Sequence, residues 1–172
     1  MAEPASETES GPPASRLQVS GAPSQLNDYF YDQGWTDGLP VVPPTEDLVL
    51  EMLEACPLPA SLALGVMPPL NGTVTVEKVA INAVMAGCKP DYFPVVLAAV
   101  KAVLQPQFNV GAITTTTGGA APVVIVSGPA AARVGIHGGT AVFGSGHRAN
   151  ATIGRALRLT MRNMGGAVAD TM

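Results

Sequence analysis

A glycine-rich turn near the end of the chain has the residue types of an anion-binding site. The turn is Gly144-Ser145-Gly146, and His147, Arg148 and Asn150 follow it. A glycine-rich turn that enters a helix can aim unpaired N–H groups at a ligand, and arginine chelates carboxylate and phosphate groups. We therefore expect a small anionic molecule to bind here. A tight loop with solvated arginines is the alternative, and the segment matches neither a Walker A loop nor a dinucleotide fingerprint.

Basic side chains continue along the helix that is predicted after this turn. Arg155, Arg158 and Arg162 recur at helical spacing, and we expect Arg155 to share a bound anion with Arg148. A solvated face and a contact surface for an acidic partner are the other interpretations of this stripe.

A run of threonines supplies a second candidate ligand loop. It covers residues 114–117, precedes Gly118-Gly119 and follows a predicted strand. Because α/β proteins commonly bind ligands beyond the ends of strands, Thr116 and Thr117 are candidate binding residues. An ordinary surface loop is the alternative.

Two carboxylates are candidates for proton transfer. Asp37 lies beside Trp35 on a proline-bounded loop, where a rigid backbone suits ligand contact. Glu77 lies on a predicted helix. We expect Asp37 or Glu77 to act as the catalytic acid or base, the alternatives being a turn-capping Asp and a solvent-facing Glu.

The cysteines and histidines do not predict a metal site. Cys56, Cys88, His137 and His147 include no close-spaced ligand pair. Cys88 follows the C-terminal end of a predicted helix, where the dipole raises the pKa of a thiol, so we expect it not to be an activated nucleophile. The sequence identifies no cofactor.

The elements that position these residues predict an α/β fold. Helices are expected from Ser24 to Gly34, from Thr45 to Pro57, from Thr75 to Ala86, from Asp91 to Gln105, and from Asn150 or Thr152 to Asn163. The fourth helix is expected to bury Val95, Ala98, Ala99, Ala102 and Val103. Runs of β-branched residues at Phe108–Thr114 and Val123–Val126 predict buried strands.

The chain divides into a tail and one domain. Residues 1–23 contain almost no large apolar side chain, so we expect a disordered tail. Residues 24–172 predict one compact α/β domain.

Composition narrows the classes of partner. Charged residues make up 13% of the chain and hydrophobic residues 47%, so we expect a second protein subunit to cover part of the surface. The net charge of −4, without a basic cluster, argues against nucleic acid. The chain shows neither an apolar run of about 20 residues nor a signal sequence, so we expect no membrane association and a cytoplasmic location.

Three long motifs resemble one bacterial family. They are Gly34–Thr45, Thr75–Cys88 and Ala149–Ala156. In this order they are similar to the larger proteins associated with the UGSC (seleno)protein family, over about residues 26–172.

The resemblance implies a partner and a set of motif positions. Family members continue beyond the position of Met172, so the second half is expected to be missing or to be a separate subunit. Their associated partner carries a Sec/Cys-Gly-Ser-Cys motif, which implies thiol or sulfur chemistry by association. The motif positions implied here are Trp35, Asp37, Glu77, Asn82, Cys88, Asn150 and Arg155.

Together these features predict one subunit of a bacterial metabolic enzyme that binds a small anionic substrate at the glycine-rich loop, with a second chain completing the site. A non-catalytic assembly or carrier subunit for a catalytic partner is the alternative.

Overall fold

The structure, a computed structural model, describes residues 13–168. They form one compact domain of helices with a small sheet, which confirms the predicted α/β class. The elements are α1 (Pro23–Asp32), α2 (Glu46–Glu54), β1 (Ala63–Met67), β2 (Gly72–Thr75), α3 (Val76–Met85), α4 (Phe93–Val103), α5 (Val110–Thr115), α6 (Pro129–Val134) and α7 (Arg148–Gly165), with 3-10 turns at Pro90–Tyr92 and Pro106–Phe108.

The sheet is an antiparallel hairpin of β1 and β2. Met67 pairs with Gly72 and Val66 with Thr73, and the register shifts between Ala63 and Gly65. No strand was predicted for these residues from the sequence. The hairpin sits on the C-terminal end of α7, where Leu70 N–H donates to Gly165 O at 3.0 Å.

Both strands predicted from β-branched runs are wrong as paired strands. Residues 106–108 form a 3-10 turn, and the segment that follows them is α5. The Thr114 hydroxyl donates to Val110 O at 2.9 Å, and both side chains are buried. Buried side chains therefore recur every four residues, as in a helix, rather than every two, as in a strand. Val123–Val126 belongs to no helix or ladder.

The core is built around α3, which packs against α2, α4 and α7. Val79, Ala80 and Ala83 on α3 are fully buried, as is Ala156 on α7. Small residues at these positions let the helix axes approach closely, so α3 and α7 fix each other's position.

The middle helices follow their local capping signals. Thr45 is the N-cap of α2, with Glu46 and Asp47 in the first turn. Thr75 is the N-cap of α3, and its hydroxyl accepts from Lys78 N–H at 3.3 Å. Gly87 then takes a φ of 85°, as a helix-ending glycine should.

Two expectations about helices need correction. Ala22 rather than Ser24 is the N-cap of α1, because Pro23 occupies the first helical position. On α4, Ala98 and Ala102 are exposed, and the buried face contains the larger side chains Phe93, Val96, Leu97, Val100 and Val103. Larger apolar surfaces gain more from burial, which decides the orientation of the helix.

The predicted tail falls only partly within the described residues, since residues 1–12 lie outside them. Residues 13–22 belong to no helix or strand, but two of them are held at the start of α3. Ala14 N–H donates to Glu77 Oε2 at 2.9 Å, and Arg16 pairs with Glu77 Oε1 at 3.0 Å.

Among residues 13–168, no single helix is long and apolar enough to cross a bilayer. The segments Pro90–Val103 and Pro106–Thr115 reach that length only together, across a bend of 72°.

Candidate functional site

The glycine-rich turn opens α7, as the sequence predicted. His147 is the N-cap and Arg148 the first helical residue, so the helix begins before Asn150 and Thr152, which were expected to cap it. The first backbone bond runs from Ala151 N–H to His147 O at 3.1 Å. The amides of residues 148–150 therefore precede the helical ladder and can face a ligand.

Asn150 fixes the loop that precedes α7. Its Oδ1 accepts from His137 N–H at 2.9 Å, and its Nδ2 donates to His137 O at 2.9 Å and to Val142 O at 3.3 Å. These bonds engage both N–H groups and the oxygen of the side-chain amide. Asn150 therefore holds the predicted site in place. Its polar side-chain atoms, which were expected to bind substrate, are bonded to the backbone of the loop.

The two histidines meet at this loop. Their rings stack with a centroid distance of 4.0 Å and an interplanar angle of 4°. His137 Nε2 lies 3.0 Å from Thr140 O, and because a carbonyl oxygen only accepts, Nε2 must carry the proton.

Arg148 joins the start of α7 to the end of α3. Its Nε donates to Gly87 O at 3.0 Å. Beside it lies a cleft of about 230 Å³ whose charged lining residues are Glu51, Lys89 and Arg148. Leu48, Met52 and Val84 form its apolar wall. We call it the α7 cleft.

The charge balance of the α7 cleft favours an anion. Its lining carries two cations, Lys89 and Arg148, and one carboxylate, Glu51. Within residues 13–168, neither cation belongs to an ion pair. Nothing in the described part of the chain therefore neutralises them directly, and a carboxylate or phosphate would gain charge-assisted hydrogen bonds.

Cys88 also lines the α7 cleft but is a protonated thiol. The residue is 7% exposed, and its Sγ–H donates to Thr152 O at 3.4 Å. Burial raises the pKa of Cys88 to about 11, outweighing the Thr152 hydrogen bond and the Arg148 charge. The pKa of the thiol is raised, as predicted, but burial rather than the helix dipole is the largest cause.

Arg155 is bound to Asp37 and does not line the α7 cleft. Its Nε donates to Asp37 Oδ2 at 2.9 Å and its Nη2 to Asp37 Oδ1 at 2.8 Å. Nη2 also donates to Pro40 O at 2.9 Å. The hydrogen bond from Arg155 holds the pKa of Asp37 below its usual value, so this carboxyl has no proton to give near neutral pH.

Arg162 of the predicted basic stripe, together with Asn163, holds the same loop. Arg162 Nε donates to Gly34 O at 3.3 Å, and Asn163 Nδ2 to Trp35 O at 3.1 Å. Arg155 and Arg162 thus fasten residues 34–40 to α7. Arg158 is the arginine of the stripe that stays exposed.

Other predicted site residues lie elsewhere. Glu77 is bound to Arg16 and Ala14, with 11% of its side chain exposed, and it does not line the α7 cleft. Thr116 and Thr117 lie in an exposed segment after α5, where the Thr116 hydroxyl accepts from Gly118 N–H at 3.2 Å. Among residues 13–168, no hydrogen bond joins them to the turn before α7.

Sequence reasoning missed Lys89 and Glu51 as members of a site. Lys89 follows Cys88, and Glu51 lies on α2 beyond Leu48. The one sequence signal near them was the motif that ends at Cys88, because charge alone does not show which surface side chains meet in a cleft.

The fold and its cleft define a class of molecule: a small α/β domain, dominated by helices, whose longest helix begins at a cation-lined cleft. Comparison of the chain with protein-family models, with curated proteins and with solved structures finds no match. Within the described residues, no group of three metal-ligating side chains forms a candidate metal site.

Proposed function

We propose that the chain is one subunit of a cytoplasmic bacterial metabolic enzyme, and that it binds a small anionic substrate in the α7 cleft. Arg148 and Lys89 hold the carboxylate or phosphate group of that substrate, and the first amides of α7 share its charge. A second protein subunit completes the site, in keeping with the resemblance to the UGSC-associated proteins.

The position of Arg148 is the observation that supports this function most strongly. Its Nε is bound to Gly87 O at 3.0 Å, which restrains the guanidinium beside the cleft. No described contact engages its two Nη groups. A planar cation held in this way is preorganised for bidentate binding of an oxyanion.

The other charged groups then take distinct roles. We assign Asp37 and Glu77 the positioning of the 34–40 loop and of residues 13–16, since each is held by an arginine away from the α7 cleft. Glu51 is the carboxylate that lines the cleft, and we assign it the role of acid or base toward a bound anion.

We assign the implied sulfur chemistry to the partner rather than to Cys88. A thiol with a pKa of about 11 supplies little thiolate near neutral pH. The reactive sulfur or selenium would come from the Sec/Cys-Gly-Ser-Cys motif of the second subunit.

Titration of the labelled chain with inorganic phosphate and with malonate tests the site. We expect chemical-shift changes centred on the amides of residues 87–89 and 148–150. Arg148→Gln should weaken phosphate binding about tenfold or more, the usual effect of losing a charge-assisted hydrogen bond. Arg158→Gln makes the same charge change on an exposed position of the same helix and should leave the affinity unchanged.

Equal affinities for the two arginine variants would contradict the site, as would shifts spread evenly over basic surface residues. With the partner present, Arg148→Gln should also lower turnover. Unchanged turnover despite weakened phosphate binding would show that the anion is not the substrate.

An assembly or carrier subunit is the second candidate, because the chain exposes large apolar side chains. Ile125 is 89% exposed and Phe143 85%. Full activity of the isolated partner would favour this role, whereas a requirement for both chains would favour a shared site.

A further inference from the structure

Residues 121–127 have the side-chain pattern of a β-strand. Exposure alternates along the segment: Val123 and Ile125 are exposed, whereas Val124 and Val126 pack against the core. This period of two is that of an extended chain with one face inward. β-branched residues at four successive positions strengthen the pattern.

The main chain of this segment has no hydrogen-bond partner among residues 13–168. The nearest bonded backbone groups are Gly128 O, which accepts from Ala131 N–H at 3.1 Å, and Gly118 N–H, which donates to the Thr116 hydroxyl. The donors and acceptors of residues 121–127 are therefore available, apart from Pro122, which has no N–H. An extended, unpaired main chain is a template for another strand.

The segment also lacks the charges that usually protect such an edge. No Asp, Glu, Lys or Arg occurs between Lys101 and Arg133. Natural edge strands commonly carry lysine or an inward-pointing charge, which opposes pairing with a second chain. Charge repulsion would therefore not oppose the pairing of two copies of this segment.

We propose that residues 121–127 form an edge strand that pairs antiparallel with the same segment of a second copy of this chain. The strand chemistry supports a self-pair, because the complement of an uncharged, β-branched strand is another such strand. In a two-fold register centred on Val124, Val123 lies opposite Ile125 of the second copy, while Val124 and Val126 stay on the core side. This interface is independent of the anion site.

Sedimentation analysis over a range of concentrations tests the pairing. The chain should form a concentration-dependent dimer, and Ile125→Lys should raise its dissociation constant about tenfold, since a symmetric interface loses the Val–Ile pair twice. Leu50→Lys is the matched control, because Leu50 is 52% exposed on α2, and it should dimerise like the parent.

Amide hydrogen exchange supplies a second readout. Amides within residues 123–127 should exchange more slowly as the chain concentration rises, and this protection should be lost in Ile125→Lys. A chain that stays monomeric at all concentrations overturns the proposal. So does a dimer that Ile125→Lys does not weaken, or one in which these amides remain unprotected.

Discussion

Arg155 on α7 forms a bidentate ion pair with the carboxylate of Asp37, which lies 118 positions earlier in the chain, through hydrogen bonds of 2.9 Å and 2.8 Å. The side chains are 21% and 23% exposed, and Pro40 O accepts a further bond from the same guanidinium. The pair thus fastens the 34–40 loop to the helix that begins beside the α7 cleft.

The three motifs that carry the family resemblance meet through such contacts. Arg155 joins the third motif to the first at Asp37, and Cys88 in the second motif donates to Thr152 in the third. Arg148, one residue before the third motif, is bound to Gly87 in the second. The three motifs therefore lie together in the folded domain, although they are far apart in the sequence.

Replacing Asp37 with Asn should destabilise the domain by roughly 1–2 kcal/mol near neutral pH, because charge-assisted bonds to Arg155 are lost. The folded pKa of Asp37 is lowered from 3.8, so its contribution is present above that value and is lost as the pH falls through the folded pKa. Urea unfolding of both proteins at several pH values measures this.

The difference between parent and Asp37→Asn should therefore shrink in acid. Asp47→Asn, an exposed acid in the first turn of α2, is the control and should cost less at neutral pH. A difference for Asp37→Asn that stays constant down to the lowest pH would show that the carboxylate charge is not what stabilises the loop.

Local signals made part of this fold predictable. Thr75 and Gly87 bound α3 because a hydroxyl cap and a positive-φ glycine act within one helical turn. The helix at Val110 and Thr114 was not predictable in the same way, since β-branched residues favour strands and the burial of these two side chains one helical turn apart depends on tertiary packing. Arg155 and Asp37 could not be paired at all, because nothing local to either residue identifies its partner.

Asn150→Ala should loosen the loop before α7. The substitution removes three hydrogen bonds to His137 and Val142, and we expect a loss of roughly 1–2 kcal/mol together with faster exchange of the His137 amide. Ser145→Ala, in the same exposed loop, is the matched control. Equal exchange rates of the His137 amide in the two variants would contradict the role of Asn150 in holding this loop.

Cys88 should react with iodoacetamide far more slowly than Cys56 near neutral pH. Cys88 is 7% exposed with a pKa of about 11, whereas Cys56 is partly exposed. Mass spectrometry of the alkylated chain, in a native and a urea-unfolded sample, measures both rates. Unfolding should bring the two rates together, and a Cys88 that reacts first in the native chain would contradict its buried, protonated state.

The raised pKa of Cys88 also makes the stability of the domain depend on pH in the alkaline range. Because it is raised above the ordinary 9.0, the neutral thiol contributes stability that is complete below that value and is lost as the pH rises towards about 11. Cys88→Ser removes this titration, so the stability of the variant should fall less steeply over that interval. A variant whose stability falls as steeply as that of the parent would contradict the buried, neutral thiol.

Gly72→Ala should destabilise the domain where the hairpin meets α7. A Cβ on Gly72 would overlap the carbonyl oxygen of Met164, a backbone atom that moves only with the helix, so we expect a loss of roughly 1–3 kcal/mol. Gly154→Ala is the contrasting control, since a Cβ there meets nothing within 4 Å. Alanine is the better helix former, so this variant should gain roughly 0.5–1 kcal/mol. Thermal unfolding of both variants should move the midpoint in opposite directions, and a Gly72→Ala midpoint at or above that of the parent would contradict the close packing of the hairpin on α7.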